Sequence, residues 1–227
     1  VRPMRRRART RGSGGLPDRL SDLRAQALVD YAGVTGLKLS LLAQLFCHLD
    51  EQPGIPRHQA WLAFCRAGGE PLERFARREG QRLQQAYQQA QAADNHEHED
   101  AALAAIHADT DRASAFQTYL QWLAADQLQA AAAAGRNAGL RIGLYRDLAV
   151  GAAQDGAEAS SDPTLFARGM SVGAPPDLLN RQGQNWGLPP WNPRELARQA
   201  FAPLRRLLDA NMRHAGALRI DHVMALA

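Results

Sequence analysis

The first half of the chain has the residue spacing of helices. From Leu16 to about Gly135, Ala, Leu, Gln, Arg and Glu dominate, and Gly and Pro are sparse within the segments. Breaks near residues 33–36 and at residues 68–69, both marked by glycine pairs, divide this block into predicted helix pairs. The clearest helix is expected to end at Gly135, and its apolar stripe consists of Phe116, Leu120, Leu123 and Leu128.

After Gly139 the pattern becomes that of a β-strand. Apolar residues alternate up to Asp147, which predicts a strand that delivers this carboxylate to its carboxyl end; the alternating residues are Leu140, Ile142 and Leu144. The Gly- and Pro-rich segment at 151–190 then predicts a long loop. Loops of that length inside a compact domain are usually functional or disordered.

The next segment predicts a helix and a second strand. Asn192 is placed as an N-cap, Pro193 as the first helical residue and Glu195 as the acid of a capping box. Pro203 should bend or interrupt this helix, and Gly216 should end it. A strand, a helix and a second strand in this order form a β-α-β unit with parallel strands and a right-handed crossover. The acids at the ends of both strands should therefore meet at one edge of the sheet.

Charged residues occupy one face of the second predicted strand. In "ALRIDHV", residues 217–223, Arg219 and Asp221 alternate with apolar residues, and His222 follows directly. Side chains two apart in a strand share a face, so the charged pair should look inward or into a cleft. An arginine beside an aspartate keeps that carboxylate ionised, as a nucleophile requires. For an isolated Arg-x-Asp, the alternative is a structural ion pair at a strand end.

Length and composition allow one or two domains with a real core, because 45% of the 227 residues are hydrophobic. Two cysteines and the lack of an apolar signal stretch before them argue against a disulfide framework and favour the reducing cytoplasm. No run of residues is expected to approach a membrane span, so no membrane partner is predicted.

Positive charge is concentrated at the start of the chain. Six arginines and no acid lie among the first eleven residues, and they exceed the net charge of +4, so the remaining body is mildly acidic. No aromatic stacking pattern or DNA-binding motif accompanies the charge, and no nucleic-acid partner is predicted. Residues 1–15 are interpreted as a disordered basic leader.

The acidic run "DNHEHED", residues 94–100, does not predict a metal site. Two histidines at i and i+2 diverge on a helix, and no cysteine or third histidine follows at ligand spacing. A solvated linker between helices explains the run. Neither a metal nor another cofactor is expected.

Three stretches in the carboxyl-terminal half stand in a distinctive order. They are "IGLYRDLAVG" at 142–151, "SVGAPPDLLNRQGQNWGLPPWNP" at 171–193 and "ALRIDHV" at 217–223. Together they resemble the 4-α-glucanotransferases, or amylomaltases, of glycoside hydrolase family 77. The resemblance is strongest over 139–227 and extends more weakly into the helical block. It implies an α/β fold in which part of a (β/α)8 TIM barrel carries a large all-helical insertion, the barrel being incomplete in this chain.

The resemblance also implies an activity and its residues. Enzymes of this family cut an α-1,4 linkage in a maltooligosaccharide donor and pass the glucan to the 4-hydroxyl of an acceptor sugar. Asp221 resembles the nucleophile, and Arg219 resembles the arginine that keeps it charged and aligned. His222 resembles the neighbour that bonds a hydroxyl of the transferred sugar, and Asp147 matches an acid close to the sugar site.

The Gly- and Pro-rich segment resembles the loop that folds over the glucan in this family. Its matching positions are Asp177, which follows two prolines, and then Gln184 and Trp186. An indole offers a flat apolar face to a pyranose, and carboxylates and amides can bond sugar hydroxyls. A covering loop would also keep water from the intermediate, which transfer requires.

The chain departs from the family pattern in two respects. Ala159, Ser160 and Ser161 follow "GAE" where the family commonly has an aromatic residue. In addition, the stretch that carries the family's acid/base glutamate is not found, and no other glutamate has the context to replace it. The chain is therefore expected to be an internal fragment that is inactive alone.

Three parts are predicted: a leader at 1–15, a helical insertion at 16–138 and a partial barrel at 139–227, with a substrate-covering loop at 151–190. The predicted function is that of a cytoplasmic, retaining 4-α-glucanotransferase acting on donor and acceptor maltooligosaccharides, with its oligomeric state left open. The long Ala- and Gln-rich half suggests an alternative hypothesis, a non-catalytic helical interaction protein with a basic tail.

Overall fold

The computed structural model describes residues 15–92 and 101–222, and helices dominate this part of the chain. The helices are α1 (Leu16–Arg24), α2 (Tyr31–Asp50), α3 (Pro56–Ala92), α4 (Ala101–His107), α5 (Thr110–Asn137), α6 (Ala157–Ser161), α7 (Pro193–Arg198) and α8 (Ala202–Met212). The strands are β1 (Tyr145–Leu148), β2 (Val172–Ala174), β3 (Gln184–Leu188) and β4 (Ala217–Ile220). The acidic run at 94–100 and residues 1–14 of the predicted leader lie outside the described residues.

An aromatic core joins α2, α3, α4 and α5. Phe46 and Phe116 are fully buried, with ring centroids 5.5 Å apart, and Trp61 packs edge-on against Phe46 at 5.7 Å. The Trp61 indole nitrogen donates to Thr118 Oγ1 at 3.1 Å, so this buried ring keeps a polar partner. The stripe predicted for α5 is confirmed at its centre, because Phe116 and Leu123 are buried and Leu120 packs against the same core.

The helix breaks agree only in part with the predicted positions. Gly33 and Gly36 lie inside α2, so the break predicted there is wrong. The chain turns earlier, at residues 25–30. Helix α2 begins after Asp30, because the Asp30 carboxylate caps it by accepting from the Gly33 amide at 3.0 Å. The second break is confirmed. Gly69, with φ of 51°, interrupts α3 in a backbone conformation that favours glycine. Helix α5 runs two residues beyond the predicted end.

The expectation that no segment approaches a membrane span is wrong for α2. This helix has 20 residues and is apolar enough, by length and composition, to cross a membrane. A helix in a protein core meets the same criteria. In this chain one face of α2 is buried, with Ala43, Phe46 and Leu49 in the aromatic core.

Strands β1 and β4 pair in parallel, as the predicted β-α-β order requires. Strand β1 is shorter than predicted, because Gly143, with φ of 77°, interrupts the extended chain before it. Leu140 and Ile142 therefore lie outside the strand, and both are exposed. At the entry to β4, the Gly216 amide donates to the Leu144 carbonyl at 2.9 Å. A Cβ on Gly216 would collide with the Ile142 carbonyl, so only glycine permits this approach.

The segment at 151–190, predicted as a loop, contains α6 and an antiparallel hairpin of β2 and β3. Sequence patterning missed the hairpin because β3 reads "QNWGL", without alternation of apolar and polar residues. The middle of the segment packs against the residues that follow it, in a small second core of Leu165, Phe166, Trp191 and Leu196.

The start of α7 is confirmed. Asn192 accepts from the amides of Arg194 and Glu195, at 3.2 and 3.4 Å. The Glu195 carboxylate bonds Arg198, at 2.8 and 2.6 Å, rather than completing the predicted capping box. The predicted interruption falls at Ala200 and Phe201, both with positive φ, after which Pro203 lies in the first turn of α8.

Candidate active site

Arg219 stands between two carboxylates at the edge of the parallel sheet. Its Nη1 donates to Asp147 Oδ2 at 3.2 Å, and its Nη2 forms an ion pair with Asp221 Oδ1 at 3.1 Å. The strand register places Asp147 directly opposite Arg219, and Asp221 follows the last residue of β4. A guanidinium has donors on separate nitrogens in a planar fork, so it can hold two carboxylates at once.

His222 extends this cluster at the end of β4. Its Nε2 lies 3.5 Å from Asp221 Oδ2. The backbone of His222 is in the left-handed region, with φ of 51°, an uncommon conformation for a residue other than glycine. Such strain of about 1–3 kcal/mol tends to occur at functional sites. The turn brings the imidazole beside the carboxylate and toward the hairpin.

Strand β3 contributes Trp186 to the same place. The Trp186 and His222 rings are in contact, with centroids 4.5 Å apart and planes inclined at 63°. The Trp186 indole nitrogen donates to Gln184 Oε1 at 2.8 Å, which holds the indole and the amide together on one strand. The hairpin that sequence analysis missed thus positions two of the predicted substrate-binding residues.

Asp177 has a local role at the tip of the hairpin. Its Oδ1 accepts from the amides of Leu179 and Asn180, at 2.8 and 2.6 Å, which stabilises the turn. Leu178 and Leu179 are 97% and 99% exposed at this tip. The structure therefore connects six of the seven predicted site residues by direct contacts, and it places Asp177 in a turn of its own.

The connected side chains are open to solvent in this chain. Asp147 is 59% exposed, Arg219 49% and Asp221 41%. The expectation that the charged pair faces inward or into a cleft is thus wrong for the described residues, because β1 and β4 form a two-stranded sheet. Exposed ion pairs contribute only about 0–1 kcal/mol to stability. The two ion pairs of Arg219 therefore add little to the stability of the fold. Their clearer effect is to hold the Asp221 carboxylate in one orientation.

Gly216 is a residue of this site that sequence analysis treated only as a helix end. Because its lack of a side chain lets β4 approach the end of β1, it sets the register that brings Arg219 opposite Asp147. The sequence signal for this role was the position of a glycine directly before a predicted strand, where the backbones of two strands can approach closely.

A groove of about 390 Å³ lies elsewhere, between α1 and α2. Its lining is mainly apolar and includes Leu20, Leu28 and Val29. None of the connected polar residues lines it. The sugar chemistry expected from the sequence needs convergent carboxylates and hydrogen-bonding groups, so the Arg219 cluster is the better candidate despite its open position.

Comparison with protein families finds a match over most of the chain. A family described as 4-alpha-glucanotransferase, glycoside hydrolase family 77, matches residues 10–227. The 4-alpha-glucanotransferase of Haemophilus influenzae is 35% identical over 236 residues, covering 92% of this chain and 32% of the relative. That of Mycobacterium tuberculosis is 45% identical over 111 residues, covering 49% of this chain and 15% of the relative. The chain thus spans about a third of the length of the Haemophilus relative.

Solved structures show the same similarity. Amylomaltase from Corynebacterium glutamicum superposes with a TM-score of 0.66 at 36% identity, covering 84% of this chain and 25% of that one. Amylomaltase from Streptococcus agalactiae in complex with acarbose superposes with a TM-score of 0.64 at 19% identity, covering 86% of this chain and 40% of that one. The second similarity concerns the fold alone.

Proposed function

This chain belongs to the 4-alpha-glucanotransferase family, and we propose that it is part of an enzyme that transfers α-1,4-glucan segments between maltooligosaccharides. The observation that carries this proposal is the position of Arg219 between Asp147 and Asp221. A retaining mechanism needs one ionised carboxylate as nucleophile and a second, protonated carboxyl group about 5 Å away.

Asp221 is the proposed nucleophile. Its carboxylate attacks the anomeric carbon and forms an ester as the bond to the leaving oxygen breaks, and the protonated carboxyl group gives its proton to that oxygen. The 4-hydroxyl of the acceptor then attacks the same carbon, returns a proton to the acid/base and releases Asp221. The acid/base group is expected outside this chain, which spans about a third of its Haemophilus relative.

Arg219 would hold the nucleophile during both steps. Its second contact, to Asp147 on the neighbouring strand, fixes the guanidinium so that Asp221 keeps one orientation. Asp147 is proposed to lie close to the sugar and to bond its hydroxyls. We propose further that β1 and β4 are neighbouring strands of a (β/α)8 barrel, into which the helices at 16–138 are inserted. Catalytic groups in such barrels lie at the carboxyl ends of the strands, where Asp221 is found.

Trp186, Gln184 and His222 are the proposed sugar-binding residues beside the nucleophile. An indole can pack on the apolar face of a pyranose, and the amide and imidazole can bond its hydroxyls. Asp177 would act indirectly, by holding the tip of a hairpin that covers the glucan and limits water. The names of the Haemophilus and Corynebacterium relatives, a 4-alpha-glucanotransferase and an amylomaltase, support an α-glucan as the substrate.

Maltotriose is the substrate that tests this proposal, in the polypeptide completed by the flanking coding sequence. The complete enzyme should convert maltotriose to glucose and longer maltooligosaccharides, whereas the 227-residue chain alone should not. Asp221→Asn should lower the transfer rate by at least about a thousandfold. Asp209→Asn, on the exposed face of α8, is the matched control and should retain activity. Transfer by the isolated chain, or full activity of Asp221→Asn, would contradict the proposal.

A further inference from the structure

Helix α3 presents a row of polar side chains, three of them basic, toward α6. Arg74, Arg77, Arg78 and Gln81 are spaced i, i+3, i+4 and i+7, so they share one face of the helix. Ala76 and Gly80 lie on the opposite side and are buried, and Gly80 approaches the backbone of Ser114 on α5. This packing fixes the rotation of α3 and directs the basic row away from the aromatic core.

Helix α6 closes the other side of a groove of about 230 Å³. The groove is lined by Arg74, Arg77, Arg78, Gln81, Ser160 and Ser161. The Arg78 Nη2 lies 3.5 Å from Ser160 Oγ, a long contact in which the hydroxyl oxygen accepts. This contact does not use the Ser160 hydroxyl hydrogen, which a ligand oxygen could accept. An ion pair between Arg82 and Asp155, at 3.8 Å, connects the two segments beside the groove.

The charge in this groove is only partly compensated. Arg74 pairs with Glu70 at 2.7 Å, whereas Arg77 and Arg78 have no carboxylate within ion-pair distance among residues 15–92 and 101–222. Positively charged guanidinium groups that line one groove repel each other, and an anion bound among them offsets this repulsion. The lining supplies mostly hydrogen-bond donors, since guanidinium groups have no acceptor. Such a surface suits an anion rather than a neutral sugar.

We infer that this groove between α3 and α6 is a binding site for a phosphoryl group, either inorganic phosphate or the phosphate monoester of a sugar. Planar guanidinium groups match the spacing of phosphate oxygens and bond them in pairs. The volume favours a small anion, because pockets for larger organic ligands have roughly 300–1000 Å³. The site shares no residue with the Arg219 cluster, so it stands independently of the proposed transfer activity.

Calorimetric titration of the full 227-residue chain tests this site, with sodium phosphate and glucose 6-phosphate as probes at constant ionic strength. Saturable binding with a Kd of about 1 mM or below is expected. Arg77→Gln and Arg78→Gln should each weaken binding about tenfold or more, because each removes a charge-assisted hydrogen bond. Arg66→Gln is the matched control, since Arg66 is exposed on the same helix but outside the groove, and should change the Kd less than about twofold.

The remaining outcomes distinguish the source of the phosphoryl group and the specificity of the site. Equal affinity for both probes assigns the site to phosphate itself, and tighter binding of glucose 6-phosphate assigns it to a sugar ester. Ser160→Ala should weaken binding without changing the charge of the groove. If an arginine variant fails to give the wild-type circular dichroism spectrum, the affinity of Ser160→Ala tests whether the probes bind in this groove. A lack of saturation with both probes, or an equal loss of affinity in Arg66→Gln, would overturn the inference.

Discussion

The indole of Trp186 packs against the imidazole of His222, with ring centroids 4.5 Å apart. Trp186 lies on β3 of the hairpin, and His222 follows the end of β4. The imidazole also lies 3.5 Å from the Asp221 carboxylate. A single pair of rings therefore connects the segment proposed to cover the glucan with the proposed nucleophile.

Replacing Trp186 should change both glucan binding and the choice between water and sugar as acceptor. In the complete enzyme, Trp186→Ala should raise KM for maltotriose and increase hydrolysis relative to transfer, because the apolar face that excludes water is lost. Trp186→Phe keeps a flat ring but loses the bond to Gln184, so it should retain more transfer activity. Product analysis by chromatography measures the ratio. An unchanged ratio and KM in Trp186→Ala would remove this residue from the site.

Substitution of Arg219 by lysine should be severe although the charge is kept. One ammonium group cannot reproduce the two contacts that Nη1 and Nη2 make to Asp147 and Asp221. We expect kcat for maltotriose transfer to fall about a hundredfold with a smaller change in KM. Arg146→Lys is the matched control on β1, where the arginine donates to the Asn211 carbonyl. Near-normal kcat in Arg219→Lys would show that charge alone suffices.

Sequence patterning predicted the parts of the site that depend on local structure. The alternation around Arg219 and the order strand, helix, strand predicted β4 and its parallel pairing with β1. The cap at Asn192 was equally local. The resemblance to the family supplied the proposed roles of the residues, because alternation alone could not distinguish a catalytic pair from a structural ion pair.

The remaining features depend on contacts between distant segments. The hairpin of β2 and β3 lacks alternation and has a glycine at 183 and at 187 with positive φ, so its pattern is that of a loop. The break before α2 depends on a side-chain cap at Asp30 rather than on the glycines that follow it. The contact of Trp186 with His222 arises only when β3 lies beside the end of β4.

Two glycine-to-alanine variants test the packing of α3 against α5. A Cβ on Gly80 would lie 2.8 Å from the Ser114 backbone nitrogen, so Gly80→Ala should destabilise the chain by about 1–3 kcal/mol of overpacking, less the gain in helix propensity. Gly36→Ala in α2 meets no atom within 4 Å and should stabilise by up to about 1 kcal/mol. In thermal unfolding followed by circular dichroism, the Tm should fall in Gly80→Ala and rise in Gly36→Ala. A Gly80→Ala variant as stable as Gly36→Ala would contradict the packing.

A fall in pH should destabilise α7 before it destabilises segments whose stability does not depend on an ionised carboxylate. Hydrogen bonds from Arg198 and then Gln199 lower the pKa of Glu195 from 4.5 to about 2. Hydrogen bonds from Thr164 and Gln199 also lower the pKa of Asp162. A carboxylate whose pKa is lower in the folded state stabilises that state above its unfolded pKa, and this contribution is lost as pH falls through the folded value.

Hydrogen-exchange protection of the α7 amides should therefore decrease as pH falls from about 4.5 toward 2. Glu195→Gln should reduce this pH dependence, and Arg198→Gln should reduce it as well, because it removes the main donor to Glu195. Wild-type pH dependence in both variants would show that this pair does not control the stability of α7.

The most direct measurement of the central claim is the identification of the residue that carries the glycosyl ester. A slowly turned-over fluorinated maltosyl donor should trap the intermediate in the complete enzyme, and peptide mass spectrometry locates the added sugar. The account predicts the added mass on Asp221, with no adduct in Asp221→Asn and a normal adduct in Asp209→Asn. A stable adduct on Asp147 or on another carboxylate, in an enzyme that transfers glucan, would contradict the assignment of Asp221 as nucleophile.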